Sequence, residues 1–296
     1  MQLKKSTKIV AGAALAMVCG LAATLKAQDI YVVNNDTIGE YGLDGSTVNA
    51  SLITGLQAPW GIAISGNDLF VGNQFGANIG EYTTSGATVS APLVTGLGTP
   101  MGIAISGNDL FVANTNNGTI GEYTTSGGTV SADLISGLKQ PWGLAISGND
   151  LFVANSAAGT VGEYTTTGGT VNTALISGLH SSFGPAGIAI SGDDLFVTIR
   201  YSGIIGEYTT SGATVSADLV SGLNSPTGIA VYGNDLFVTE GNGTIGEYTT
   251  TGGTVNADLI SGIFNPTGIA IVPEPSAVAL MGLGASALML WRRRKF

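Results

Sequence analysis

Pro100-Met101-Gly102-Ile103-Ala104-Ile105-Ser106-Gly107-Asn108-Asp109-Leu110-Phe111-Val112-Ala113-Asn114, followed by Gly118-Thr119-Ile120-Gly121-Glu122-Tyr123-Thr124-Thr125-Ser126-Gly127, decides how this chain folds. The chain repeats the unit along nearly its whole body. The Glu-Tyr pair occurs at Glu40, Glu81, Glu122, Glu163, Glu207 and Glu247, at spacings of 41, 41, 41, 44 and 40 residues. A self-similar period of this size marks a repeat architecture, in which each copy buries its apolar face only against its neighbours.

Each copy carries four short β-like runs. In the second copy they are Gly61 to Ile64, Leu69 to Gly72, Ile79 to Thr83 and Thr88 to Val94. Ser65-Gly66-Asn67-Asp68 and Thr84-Ser85-Gly86 bound them with strong turn chemistry. Pro92 falls in the fourth run, which suits an outermost edge strand that need not donate every ladder hydrogen bond. Nothing has the 3.6 period or the length of a helix. Four strands per copy of about 41 residues is the pattern of a propeller blade. A solenoid would need capping repeats with polar outer faces, and none is visible.

The two ends of the repeat array decide closure. The first copy starts late, at Asp29-Ile30-Tyr31-Val32-Val33-Asn34, and lacks the Pro-x-Gly-Ile-Ala opening. The last opening, Pro266-Thr267-Gly268-Ile269-Ala270-Ile271, has no second strand after it. Together the two fragments make one more blade. The expected fold is therefore all-β: a six-bladed β-propeller of four-stranded blades over residues 28–271, closed by pairing of N- and C-terminal strands. Closure hides the sheet edges that an open array would expose. The Gly-Ile-Ala-Ile and Leu-Phe-Val runs resemble six-bladed NHL-type propellers, a likeness of repeat pattern that implies fold and not chemistry.

Charge is segregated along the 296 residues. Between Gln28 and Val272 nineteen acids face only Lys139 and Arg200, a charge of about −17. Such a body repels phosphate backbones and excludes nucleic acid as a natural partner. Its simplest use is solubility, with weak attraction of cations second. The one cysteine, Cys19, lies outside the repeats, so the body has neither disulfides nor thiol chemistry.

Both ends read as addresses. Residues 1–27 have the parts of a secretory signal peptide: Lys4, Lys5 and Lys8, an apolar run from Ile9 to Leu25, and Ala27 before a cleavage point. A retained anchor is the other reading. Residues 272–296 run from Val272-Pro273-Glu274-Pro275-Ser276 through an apolar stretch to Arg292-Arg293-Arg294-Lys295-Phe296. As a helix the apolar stretch of about sixteen residues would be ~24 Å long, somewhat short of a bilayer core. The cationic tail would stay cytoplasmic. A plain tail anchor would look similar. The order of Pro-Glu-Pro, short apolar helix and arginine cluster is more specific, and it resembles the PEP-CTERM sorting signal of Gram-negative bacteria. That resemblance implies an exosortase-type processing enzyme as partner, with Pro273, Glu274, Pro275, Arg292, Arg293 and Arg294 as the signal. It also implies export through the inner membrane, transient membrane anchoring, and delivery to the cell surface or extracellular matrix, often among exopolysaccharides.

The regular residues read as scaffold. Glu81 and its equivalents are expected to serve blade-to-blade hydrogen bonds or a solvated face. Tyr82 and its equivalents are expected to pack between blades with the hydroxyl at polar groups. Asp68, Asp109, Asp150, Asp194 and Asp235 are expected to bond their own turn backbone. Differences between copies gather on one face. After the opening proline come Trp60, Met101, Trp142, Ala186, Thr227 and Thr267; the second strands end on Asn34, Asn73, Asn114, Asn155, Ile199 and Glu240. Arg200 and Tyr201, and a three-residue insertion within His180-Ser181-Ser182-Phe183-Gly184, belong to the same face.

This gives a candidate binding site at Trp60, Met101, Trp142, Arg200, Tyr201 and Glu240, suited to an exopolysaccharide or a matrix protein. Two structural readings compete with it. The tryptophans could wedge between blades, and the asparagines could cap loop backbone. His180, the one histidine, has no nucleophile placed beside it, and zinc chemistry lacks ligands. The sequence therefore favours a protein without catalysis or cofactor. The alternative rests on Glu240 with Asn34, Asn73, Asn114 and Asn155, a set of oxygens similar to the channel calcium site of gluconolactonase-like and paraoxonase-like propellers. That resemblance implies a calcium-dependent lactonase or lyase, although Ile199 interrupts the ring. A purely structural matrix protein is the third reading.

Overall fold

The computed structural model describes residues 28–272, apart from Ser181. The proposed signal peptide, the apolar C-terminal helix and the basic tail lie outside the described residues. Six four-stranded antiparallel sheets are present. Blade one holds β1 (Asp29–Asn34), β2 (Thr37–Gly42) and β3 (Thr47–Ile53). Blade two holds β4 (Pro59–Ser65), β5 (Asp68–Asn73), β6 (Asn78–Thr83) and β7 (Thr88–Thr95). Blade three holds β8 (Pro100–Ser106), β9 (Asp109–Asn114), β10 (Thr119–Thr124) and β11 (Thr129–Ile135). Blade four holds β12 (Pro141–Ser147), β13 (Asp150–Asn155), β14 (Thr160–Thr165) and β15 (Thr170–Ile176). Blade five holds β16 (Pro185–Ser191), β17 (Asp194–Ile199), β18 (Ile204–Thr209) and β19 (Thr214–Ser221). Blade six holds β20 (Ile229–Tyr232), β21 (Asp235–Glu240), β22 (Thr244–Thr249) and β23 (Thr254–Ile260). The last strand, β24 (Pro266–Ile271), returns to blade one and pairs antiparallel with β1, Ile30 opposite Ile271 and Val32 opposite Ile269. The first strands touch in a closed circle.

Register defines two faces. Pro59 stands opposite Asn73, and Asn73 opposite Asn78, so these positions share the upper face. Ser65, Asp68 and Thr83 line up at the lower face. Pro92 falls where β7 bulges away from β6, a section free of ladder pairing that a proline tolerates. The same bulge recurs in the other fourth strands, so the repeat and not the proline sets it.

The core lies between blades. Phe70, Phe111, Phe152, Phe196 and Phe237, with Tyr31 in blade one, are the largest fully buried side chains. Alternation along each second strand sends one set of side chains to each neighbouring blade. Thus Phe152 and Val161 of blade four meet Ile188, Leu195 and Tyr208 of blade five. Tyr82 packs in the same way on Val33, Ile38 and Ile53 of the preceding blade.

Around the axis the first strands approach so closely that only glycine fits. A methyl group on Gly102 would strike the carbonyl oxygen of Trp142. Equivalent collisions set Gly61 against Met101 and Gly268 against Trp60. The Gly of every Pro-x-Gly motif is thus a packing requirement between blades. Two threonines that replace alanine add clasps. Thr198 Oγ1 donates to the Thr227 carbonyl at 2.8 Å, and Thr239 Oγ1 donates to the Thr267 carbonyl at 2.7 Å.

The Glu-Tyr glutamates are half-exposed, except Glu40, which is buried and accepts from Tyr31 Oη at 2.9 Å. Burial, and secondarily the charge of Asp68, push Glu81 above the ordinary value of 4.5. The same causes act on Glu122, Glu163, Glu207 and Glu247 through Asp109, Asp150, Asp194 and Asp235. These aspartates were expected to hydrogen-bond their turns. The structure instead closes the other lower-face turns through threonine: Thr83 Oγ1 accepts from Ala87 N at 3.0 Å, and Thr124 Oγ1 from Gly128 N at 2.9 Å. Raised glutamates bind protons more tightly folded than unfolded, so their protonation stabilises the fold at low pH, and this contribution is lost as pH rises through 4.5 to the higher folded values. Asp44 works the other way, but alone and at full exposure. The melting temperature should therefore fall as pH rises above 4.5, and Asp109→Asn with Asp150→Asn should flatten the slope in calorimetry.

Candidate functional site

The upper face concentrates most of the aromatic and charged residues that break the repeat. The positions after each proline sit at the mouth of the axial channel, a cavity of about 170 Å³ lined by Trp60, Met101, Trp142 and the glycines and aliphatic residues below them. This is smaller than the ~300–1,000 Å³ in which proteins enclose small ligands. The mouth is instead a surface of rings. Trp60 of blade two and Trp142 of blade four meet edge to face with centroids 5.8 Å apart. Phe183 tilts against Trp142 at 6.4 Å. The Arg200 guanidinium lies 5.8 Å from both the Trp142 and the Phe183 ring centroids. Beside it the His180 and Tyr201 rings stack at 4.1 Å.

Local sequence explains how this cluster arises. The insertion that lengthens the blade-five spacing lets His180 and Phe183 enter left-handed backbone, at φ 62° and 53°. Gly184 closes that loop against the His180 carbonyl, where a larger residue would collide. Arg200 N donates to the Gly184 carbonyl at 3.1 Å and Tyr201 N to the Phe183 carbonyl at 2.9 Å, tying the loop to the turn after β17. Trp142 is 7% exposed and acts as the fixed base of the cluster, whereas Phe183 at 60% and Tyr201 at 66% are open to solvent. Partial burial lowers the pKa of Arg200, and no carboxylate among the described residues pairs with it.

Of the sequence-derived candidates, Trp60, Met101, Trp142, Arg200 and Tyr201 share the mouth or its rim. Phe183 and His180 complete the cluster. Their signal was the insertion itself, but a loop of unknown path cannot be assigned contacts. Glu240 does not join them. Its Oε2 accepts from Asn224 N at 2.7 Å and its Oε1 from Tyr248 Oη at 3.1 Å. Burial first, and then Glu240, push the Tyr248 phenol up.

The asparagines at the equivalent positions do similar work. Asn73 Oδ1 accepts from Gln57 N, Asn114 Oδ1 from Gly98 N, and Asn34 Oδ1 from Phe264 N at 2.9 Å. Asn155 differs: its Nδ2 donates to the Val153 carbonyl and its Oδ1 is buried without a partner. The residues proposed as a calcium set therefore do not fit that ion. Most of their oxygens already accept N–H or O–H donors, each within its own blade or the loop leading into it. Among the described residues no group of three or more histidine, cysteine, aspartate or glutamate side chains converges.

These features define a six-bladed β-propeller with one specialised face, marked by aromatic rings and an unpaired guanidinium. Residues 272–295 match the PEP-CTERM protein-sorting motif. The motif implies an exported protein, anchored transiently in the membrane and processed by an exosortase. It begins where the propeller ends: Val272 N donates to the Asp29 carbonyl at 3.2 Å, on the lower face. No curated protein matches the chain as a relative. Solved structures with the same architecture include a chain of the nidogen/laminin complex, with TM-score 0.70, 15% identity, and 83% of this chain and 98% of that one covered. A catalytically inactive virginiamycin B lyase from Staphylococcus aureus with quinupristin gives TM-score 0.59 and 20% identity over 85% and 94% of the two chains. A gluconolactonase from Xanthomonas campestris gives 0.59 and 17% over 72% and 79%. At such identities the likeness is one of fold.

Proposed function

We propose that this protein is a non-catalytic binding module, delivered to the cell surface or extracellular matrix, which holds a matrix polysaccharide or protein on its upper face. The observation that carries the reading is the coincidence of sequence irregularity with ring clustering. A chain that otherwise repeats itself departs from the repeat at Trp60, Trp142, Phe183, Arg200 and Tyr201, which gather at the channel mouth and its rim. Exposed aromatic rings supply contact area at low conformational cost, which suits the flat faces of sugars or side chains of a partner.

Polarity of the chain supports the same reading. First strands run from the upper to the lower face, so β24 delivers Val272, the first residue of the sorting motif, to the lower one. While anchored, the protein would turn its aromatic face away from the membrane.

Retention tests the proposal. The purified propeller, residues 28–272, should be held by extracellular matrix from the producing cells. Trp60→Ala with Tyr201→Ala should reduce the retained fraction about tenfold at unchanged melting temperature. Equal retention of the variant would remove the upper face from binding. The lactonase-like reading would return if the propeller opened a lactone in a calcium-dependent manner.

A further inference from the structure

We propose that Arg200, Trp142, Phe183 and Tyr201 form a binding site for an acidic sugar, a carboxylate-bearing residue of a polysaccharide. The proposal rests on the binding-module reading above and names its ligand class.

Charge placement is the first argument. The body carries nineteen acids, yet its two cations, Lys139 and Arg200, both lie on the upper face of the adjacent blades four and five. Most of the acids go elsewhere, the exposed Asp36 in the upper-face turn between β1 and β2 being an exception. Asp68, Asp109, Asp150, Asp194 and Asp235 stand at the lower face, with the Glu-Tyr glutamates beside them. On the upper face Glu240 is buried and occupied by two donors. A guanidinium in so acidic a body would ordinarily be paired. Arg200 is half-buried, desolvated and unpaired, so its fork of N–H donors is held ready for an external anion.

Geometry is the second argument. Arg200 lies over the Trp142 and Phe183 rings, its guanidinium carbon 5.8 Å from each centroid, contacts that use ring faces and not its N–H donors. Tyr201 and His180 extend the ring surface next to it. A pyranose carrying a carboxylate matches both parts, a face to stack on a ring and two oxygens to take a bidentate guanidinium contact. An acidic peptide offers the carboxylate without the stacking face. A neutral sugar offers the face without the anion.

Backbone strain is the third. Other blades place a left-handed residue directly before the proline, as Ala58, Thr99 and Gln140 do, whereas blade five instead has left-handed residues at His180 and Phe183, further from Pro185. A left-handed phenylalanine costs conformational energy, and the fold spends it on bringing this ring to Arg200.

The test is calorimetric titration of the propeller, residues 28–272, with oligogalacturonate, its methyl ester and poly-glutamate, repeated with Arg200→Gln and Phe183→Ala. Oligogalacturonate should bind at least tenfold tighter than the ester or the peptide. Arg200→Gln should erase that preference, and Phe183→Ala should weaken binding of the acid about fivefold. Circular dichroism melts confirm that each variant folds. Equal binding of the acid and its ester, or an unchanged preference in Arg200→Gln, overturns the acidic-sugar site. So does poly-glutamate binding as tightly as the oligogalacturonate. Absence of binding to all three probes, with matrix retention intact, also overturns this site and leaves the binding-module reading standing. Matrix retention left unaltered by the upper-face variants would instead overturn the latter.

Discussion

A chain ending at Asn265 is expected to be far less stable than a chain ending at Val272. The shorter chain lacks β24, and with it the innermost strand of blade one. Ile30 and Val32 of β1 lose their partners Ile271 and Ile269, and the β1 edge becomes an exposed, apolar template for aggregation. Two contacts across the ring vanish as well, because β24 lies between β20 and β4. At ~2–3 kcal/mol for each large aliphatic side chain returned to water, the loss is about 5 kcal/mol before the opened ring relaxes. For a domain of this size that corresponds to a fall of about 10–20 °C in melting temperature. Thermal melts and gel filtration of the two chains decide it. A synthetic peptide spanning residues 264–272 should partly restore the shorter chain, since closure is by strand pairing and not by covalent continuity.

Gly102→Ala should destabilise the propeller by about 3 kcal/mol, although the usual rule points the other way. Alanine in a strand gains roughly 0.5–1 kcal/mol over glycine through backbone entropy. Here the new methyl would strike the Trp142 carbonyl of the next blade and crowd the Leu144 amide at 3.1 Å. Both are backbone atoms on the innermost strand and cannot swing aside. Overpacking costs of ~1–3 kcal/mol, sometimes more, outweigh the entropy gain. Denaturant midpoints would show the loss as a shift without a change of slope. A gain in stability would mean that the first strands have slack, and the close ring of Pro-x-Gly motifs would lose its meaning.

Much of the fold was legible in the sequence because each blade says its own structure. The Ser-Gly-Asn-Asp and Thr-Ser-Gly turns fix the strands to within one or two residues, and the bulge in the fourth strand adds only local detail. The offset between the first and last copies specified the closure, and β24 pairs with β1 as that offset requires. Inter-blade packing of Tyr82 followed from strand alternation. Other assignments failed for lack of distance. Glu240 looks like one of a ring of oxygens on paper, but in space its carboxylate reaches back sixteen residues to cap a loop. The aspartates of the first turns look like turn caps, yet they face the glutamates two positions from their register partners.

The candidate site shows the same division. That Trp60, Trp142, Arg200 and Tyr201 share a face follows from the repeat register alone. That Phe183 and His180 join them depends on the path of the inserted loop, which the left-handed residues and Gly184 set.

Sequence by itself determined the number of blades, the strand order and the closure, because these depend on local periodicity and on which fragments lack a partner, and it carried the sorting motif as a local pattern. Tertiary structure alone decided which irregular residues meet. Residues from blades two, four and five come together only when the ring closes, and ring contacts of 4–6 Å are set by blade geometry that no spacing along the chain encodes.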